Sequence, residues 1–123
     1  MKELLLVSAG SFVGGGLRYL VGKWLGQMLA TSFPWGTFAV NIVGCFLIGV
    51  FSSLSLGGNL STNMKLLLAT GLCGGFTTFS TFMNDSLLLS REGNVTTAVL
   101  YTALSLILGM AALVAGHKLT CMV

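Results

Sequence analysis

The stretch Gly71-Leu72-Cys73-Gly74-Gly75-Phe76-Thr77-Thr78-Phe79-Ser80-Thr81-Phe82-Met83-Asn84-Asp85 lies in the middle of a long apolar region. A simple membrane helix would fill that run with leucine and valine, yet this one carries glycines, hydroxyls and aromatic rings. Gly71, Gly74 and Gly75 weaken the helix, and a break at 74–78 would free carbonyl and amide groups that lipid does not satisfy. Such groups persist in a membrane only where protein, water or an ion completes them. Carbonyls freed here and facing a symmetry mate could coordinate a monovalent cation, as unwound transporter helices do.

The hydroxyls of Thr77, Thr78, Ser80 and Thr81 donate or accept as needed. Phe79 and Phe82 share one face of a resumed helix, and the edge of an aromatic ring is its electropositive part. Hydroxyl donors, an amide and ring edges together suit a small anion, although hydroxyls serve cations equally well. Taken singly, each feature is explained as well or better by tight packing and core filling. Together they favour a polar pathway through the membrane, with its ion left open by the residues alone.

The composition around this stretch sets the class. The 123 residues are 54% hydrophobic and 7% charged, against roughly 25% charged in soluble domains. The fold class is therefore an all-α integral membrane protein. Spans of about 20 residues cross roughly 30 Å of hydrocarbon, so the chain holds four helices in a single transmembrane domain, 1–123. The expected spans are 4–28, 36–56, 64–90 with the break, and 95–117. A formal net charge of +3 from singly scattered residues signals topology and gives no footing for nucleic acid. Cys45, Cys73 and Cys121 stand far apart without metal-ligand spacing and are read as small hydrophobes.

In the first span Gly10, Gly14, Arg18, Gly22 and Gly26 recur every fourth residue, which makes a packing seam with a cation set into it. A signal peptide is the competing reading, but the run passes Arg18 and Trp24 without a clear small-residue cleavage site. Arg18 either snorkels to the interface marked by Lys23 and Trp24, or anchors a neighbouring polar group or attracts an anion. Pro34 and Trp35 mark a turn. In the second span Thr37, Asn41, Gly44 and Ile48 share a face, and Asn41 is either interhelical glue or part of a permeation path. Residues 57–63 and 91–94 read as loops. In the fourth span Ala98, Thr102, Ser105, Gly109, Ala112 and Gly116 draw a stripe of small residues for close packing.

No catalytic set is present: there is no Ser/His/Asp group, carboxylate pair or HExxH string, and His117 is solitary. The chain is not read as an enzyme. With alternating spans, Lys2, Lys65 and Lys118 fall on one side and Lys23 and Arg91 on the other, joined by Arg18 if it snorkels that way. This near-balance gives almost no orientation bias. Insertion both ways up, and the small number of helices, predict an antiparallel homodimer with its axis in the membrane plane.

Gly14-Gly15-Gly16-Leu17-Arg18-Tyr19, the run Gly36-Thr37-Phe38-Ala39-Val40-Asn41-Ile42-Val43-Gly44-Cys45-Phe46-Leu47-Ile48-Gly49, and 71–82 together resemble the small bacterial fluoride channels called Fluc or CrcB. The resemblance covers essentially the whole chain. It implies a dual-topology homodimer in the bacterial inner membrane, with separate fluoride pores and a structural sodium ion at the dimer centre. Sodium would be held by the backbone carbonyls of Gly74 and Thr77. Fluoride would pass Asn41 and the ring edges of Phe79 and Phe82, along a hydroxyl track of Ser80 and Thr81. Met83 stands where some relatives carry another serine, and Asp85 falls near an expected pore vestibule. Passive fluoride efflux, protecting the cell from fluoride toxicity, is the activity implied. A small dual-topology multidrug exporter is the alternative, although proton coupling would want a carboxylate deep in the first span, where Glu3 is only at the edge.

Overall fold

The computed structural model describes residues 1–121. Its apolar runs form α1 (Lys2–Met28), α2 (Trp35–Leu56) and α6 (Val95–Cys121). The third span is composite: α3 (Thr62–Lys65), a π-helical stretch (Leu66–Cys73), α4 (Gly74–Phe76) and α5 (Phe79–Arg91). Lys2–Met28, Trp35–Leu56, Thr62–Arg91 and Val95–Cys121 are each long and apolar enough to cross a membrane. Helices suit that setting because they satisfy their backbone polar groups internally. The fourth span continues to Cys121, past the expected end at 117. In this last turn Thr120 turns its hydroxyl back to the carbonyls of Gly116 (3.2 Å) and His117 (3.1 Å).

Turn chemistry joins the spans. Gly58 (φ 76°) and Gly93 (φ 85°) take the left-handed conformation just after α2 and α5, where a side chain would be strained. Ser61 caps α3 by accepting from the Met64 amide at 3.2 Å.

The glycines of the third span have a different role from the one expected. A Cβ on Gly75 would lie 2.6 Å from the Ser11 carbonyl oxygen, and one on Gly71 would lie 2.8 Å from that of Val7. Across the crossing, a Cβ on Gly10 would strike the Leu67 carbonyl and one on Gly14 that of Leu72. Two glycine pairs spaced by four thus interlock α1 with the third span, backbone against backbone. They do not unwind it. Gly74 is helical (φ −62°, ψ −38°), and only Thr77 (φ −86°, ψ 160°) and Thr78 (φ −152°, ψ 123°) are extended. The departure from helix is therefore confined to 77–78 rather than spread over 74–78.

Fourfold spacing drifts by about 40° per step around an α-helix, and the α1 seam follows that drift. Gly10 and Gly14 face the third span, and Gly22 meets Gly36 of α2, where a Cβ on Gly36 would sit 2.7 Å from the Gly22 Cα. Gly26 has nothing within 4 Å. The α6 stripe packs mainly on α2: Gly116 abuts the Phe46 carbonyl, and a Cβ on Gly109 would lie 3.4 Å from Cys45 Sγ. Between α5 and α6 a buried cluster of Phe82, Leu89, Ala98 and Tyr101 forms, flanked by Phe33 and Phe38.

Candidate functional site

Two extended residues inside an apolar span leave backbone groups without helical partners, and neighbouring side chains meet them. The Asn41 side chain donates to the Thr78 carbonyl at 3.1 Å and accepts from the Thr78 amide at 2.9 Å. One amide group thus replaces both helical bonds that Thr78 gives up. The Thr78 hydroxyl accepts from the Thr81 amide at 3.3 Å and caps α5. Thr77 turns its hydroxyl back to the Cys73 carbonyl at 2.9 Å, and its methyl group presses on Gly44.

Arg18 meets another displaced group. In an uninterrupted helix the Gly75 carbonyl would accept from the Phe79 amide; here Arg18 Nε donates to it at 3.1 Å. Arg18→Met is therefore expected to lower stability by about 1.5–3 kcal/mol, the range for a hydrogen bond to a charged group. Thermal unfolding of the detergent-solubilised protein measures it, and an unchanged midpoint would show that the contact carries no weight.

Around these anchors a groove of about 300 Å³ opens between α2, α5 and α6. Asn41, Gly44, Thr78, Phe79, Phe82 and Ser105 are among its lining residues, and none of the lining residues is a carboxylate. Phe79 is 72% exposed, whereas Phe82 is only 5% exposed. Their ring centroids are 6.1 Å apart at 63°, an edge-on relation. Ser105 was visible in the sequence only as one member of a small-residue stripe. Its Oγ is buried and has no hydrogen-bond partner among the described residues, and buried hydroxyls are normally satisfied.

The remaining predicted residues lie elsewhere. Thr81 lines a second cavity, of about 350 Å³, with Arg18, Lys23, Thr37 and Thr78. Ser80 is exposed and lines neither space. The two hydroxyls of the expected track are thus not brought together with the two rings. Asp85 borders a third cavity, of about 290 Å³, beside Phe33 and Trp35, and its Oδ2 accepts from the Tyr101 hydroxyl at 3.2 Å. Met83 is 40% exposed. Gly74 is exposed, with nothing within 4 Å of a Cβ built there. Its carbonyl has lost its regular helical donor, because the Thr78 amide is bound to Asn41.

The first groove is thus lined by the Asn41 amide, a serine and two aromatic rings without a carboxylate, and a neighbouring cavity is lined by two cations. This donor set suits an anion stripped of water. Among the described residues no group of three or more His, Cys, Asp or Glu could hold a metal ion.

Comparison with known proteins gives the relationship. Residues 5–117 match the family described as CrcB-like protein, Camphor Resistance (CrcB). The chain is 48% identical over 117 residues to the "Fluoride-specific ion channel FluC" of Rhizobium leguminosarum bv. trifolii (strain WSM2304), covering 94% of each chain. It is 47% identical over 116 residues to the protein of that name from Phocaeicola vulgatus (strain ATCC 8482), covering 94% of this chain and 96% of the relative. A third relative so named, from Chlorobium phaeobacteroides (strain BS1), is 49% identical over 117 residues, covering 94% and 91%. Four apolar spans and bacterial relatives make this a multi-pass protein of the bacterial inner membrane. Matched over most of its length, the chain belongs to the CrcB-like protein family.

Proposed function

We propose that this protein is a fluoride-selective channel, not an enzyme, which lets fluoride leave the cytoplasm down its electrochemical gradient and so protects the cell. The observation that carries the reading is the carboxylate-free groove in which Asn41, Ser105 and the rings of Phe79 and Phe82 converge. A dehydrated fluoride needs donors close around it to replace its water, and a narrow, fixed donor set excludes the larger chloride. Arg18 and Lys23 in the neighbouring cavity raise the local anion concentration. Relatives named as fluoride-specific channels support the same assignment. The exporter alternative draws no support from them, and Glu3, at the start of α1, is that helix's only carboxylate.

The working unit is an antiparallel homodimer. Phe79, 72% exposed in one copy, gains a partner surface in that arrangement, and the groove gains a second wall. A structural sodium ion fits the residues at the centre. The Gly74 carbonyl lacks its helical donor and the residue is exposed, and Thr77 is the extended residue three positions on. The carbonyls of Gly74 and Thr77 would hold the ion, which would supply a fixed positive charge tying the two copies together.

Efflux from liposomes containing the purified protein tests the reading, with fluoride and chloride compared in one preparation. Fluoride is expected to leave rapidly while chloride stays. Phe79→Ile and Phe82→Ile are expected to reduce fluoride efflux to the leak of empty vesicles. Phe79→Ile is the sharper variant, because its exposed ring contributes little to the fold of one copy. A dimeric protein that moves neither anion with sodium present would sink the channel reading.

A further inference from the structure

Phe82 is held by a chain of rings that reaches the connection between α1 and α2. Its ring centroid lies 5.1 Å from that of Tyr101, at 72°. Tyr101 is fully enclosed, 0% exposed, and its hydroxyl donates to Asp85. The Tyr101 ring also meets Phe33, at 5.4 Å and 82°. Phe33 belongs to the connection between α1 and α2, and its neighbours form its seat. Pro34 follows it with φ −80°, the Trp35 amide donates to the Phe33 carbonyl at 2.9 Å, and the Trp35 and Phe38 rings pack on it at 4.5 and 5.4 Å.

We infer that Phe33 is a positioning residue for the groove, fixing the Phe82 ring through Tyr101; this rests on the fluoride-channel reading. An ion held by ring edges depends on the angle of those edges, since the quadrupole changes sign from edge to face. Phe82 has no polar group to fix that angle, so ring-on-ring contact sets it. Hydroxyl contact with Asp85 fixes one end of Tyr101, and Phe33 meets the ring itself. An aliphatic residue at 33 fills comparable space without a directional edge-to-face preference. The Tyr101 ring, and Phe82 with it, then gains rotational freedom.

The test compares Phe33→Leu and Phe33→Met with Phe33→Tyr, which keeps the ring. Both aliphatic variants are expected to slow fluoride efflux about tenfold, the scale of a well-oriented aromatic pair, and to narrow the ratio of fluoride to chloride efflux. Phe33→Tyr is expected to restore both. A fluorine label on the Phe82 ring supplies a readout separate from transport: its resonance is expected to shift or broaden in the aliphatic variants and to stay in place in Phe33→Tyr. A merely structural role would lower the yield of folded dimer yet leave the selectivity ratio and the label's resonance unchanged in the protein that folds. That result, in either aliphatic variant, overturns the proposal. Wild-type protein that moves no fluoride would instead sink the channel reading, and the resonance would still decide whether Phe33 positions Phe82.

Discussion

Asn41→Ala is expected to abolish anion efflux and to lower the stability of the solubilised protein by about 2–4 kcal/mol. The Asn41 amide is the partner of both backbone groups of Thr78, and removing it strands a donor and an acceptor together. An unsatisfied buried group costs about 1–3 kcal/mol, and two would reach about 6. The lower range is the better estimate, because side-chain hydrogen bonds within membranes average only about 0.6 kcal/mol. Asn41→Asp separates the two roles. It keeps the acceptor for the Thr78 amide but loses the donor and sets a negative charge against the Thr78 carbonyl and in the anion's path. Part of the stability is expected to survive in Asn41→Asp, and none of the efflux. Denaturant or thermal unfolding beside liposome efflux measures both. Full stability in Asn41→Ala would mean that water or another side chain replaces the amide.

Gly14→Val carries the second large effect. A Cβ at this position would strike the Leu72 carbonyl and come within 2.9 Å of the Phe76 amide nitrogen, so the obstacle is backbone, which has no rotamer with which to yield. Overpacking costs about 1–3 kcal/mol where side chains can shift; a backbone clash at a helix crossing belongs at or above the top of that range. Separating α1 from the third span would also draw Arg18 away from the Gly75 carbonyl, adding to the loss. Gly15→Ala is the matched control, because nothing lies within 4 Å of a Cβ there and alanine favours a helix over glycine by up to about 1 kcal/mol. The expected result is a collapsed yield of folded protein for Gly14→Val and an unchanged or improved one for Gly15→Ala. Damage at Gly15 would reveal a second copy packed on that face.

Gly71, Gly74 and Gly75 show where reading residues by propensity misleads. Glycine weakens a helix in water and also lets two helices touch in a membrane, and the sequence does not say which property is in use. The crossing of α1 decided it: Gly71 and Gly75 face the glycines and Ser11 of α1 and stay helical, so the extended conformation fell to two threonines. Thr77 and Thr78 tolerate it because β-branched residues accept extended backbone readily and their hydroxyls cap what is exposed. The resemblance to the fluoride channels groups Ser80 and Thr81 with the phenylalanines. In a helix, however, neighbours in sequence point about 100° apart, which takes Thr81 into a different cavity. Ser105 escaped notice for the opposite reason: a serine in a stripe of small residues looks like packing until its hydroxyl is found without a partner.

Composition and the lengths of the apolar runs were enough to give the class and the spans. Apolar runs of membrane length bounded by loop residues leave the backbone no alternative to helix in hydrocarbon, and small-residue spacing marked the faces on which the helices meet. Which carbonyl each polar side chain serves was fixed by how the helices pack. Arg18 and Gly75 are 57 positions apart, and Asn41 and Thr78 are 37 apart. A hydrogen bond across such separations depends on how helices cross and rotate, a property of the packed whole that no local pattern of residues encodes.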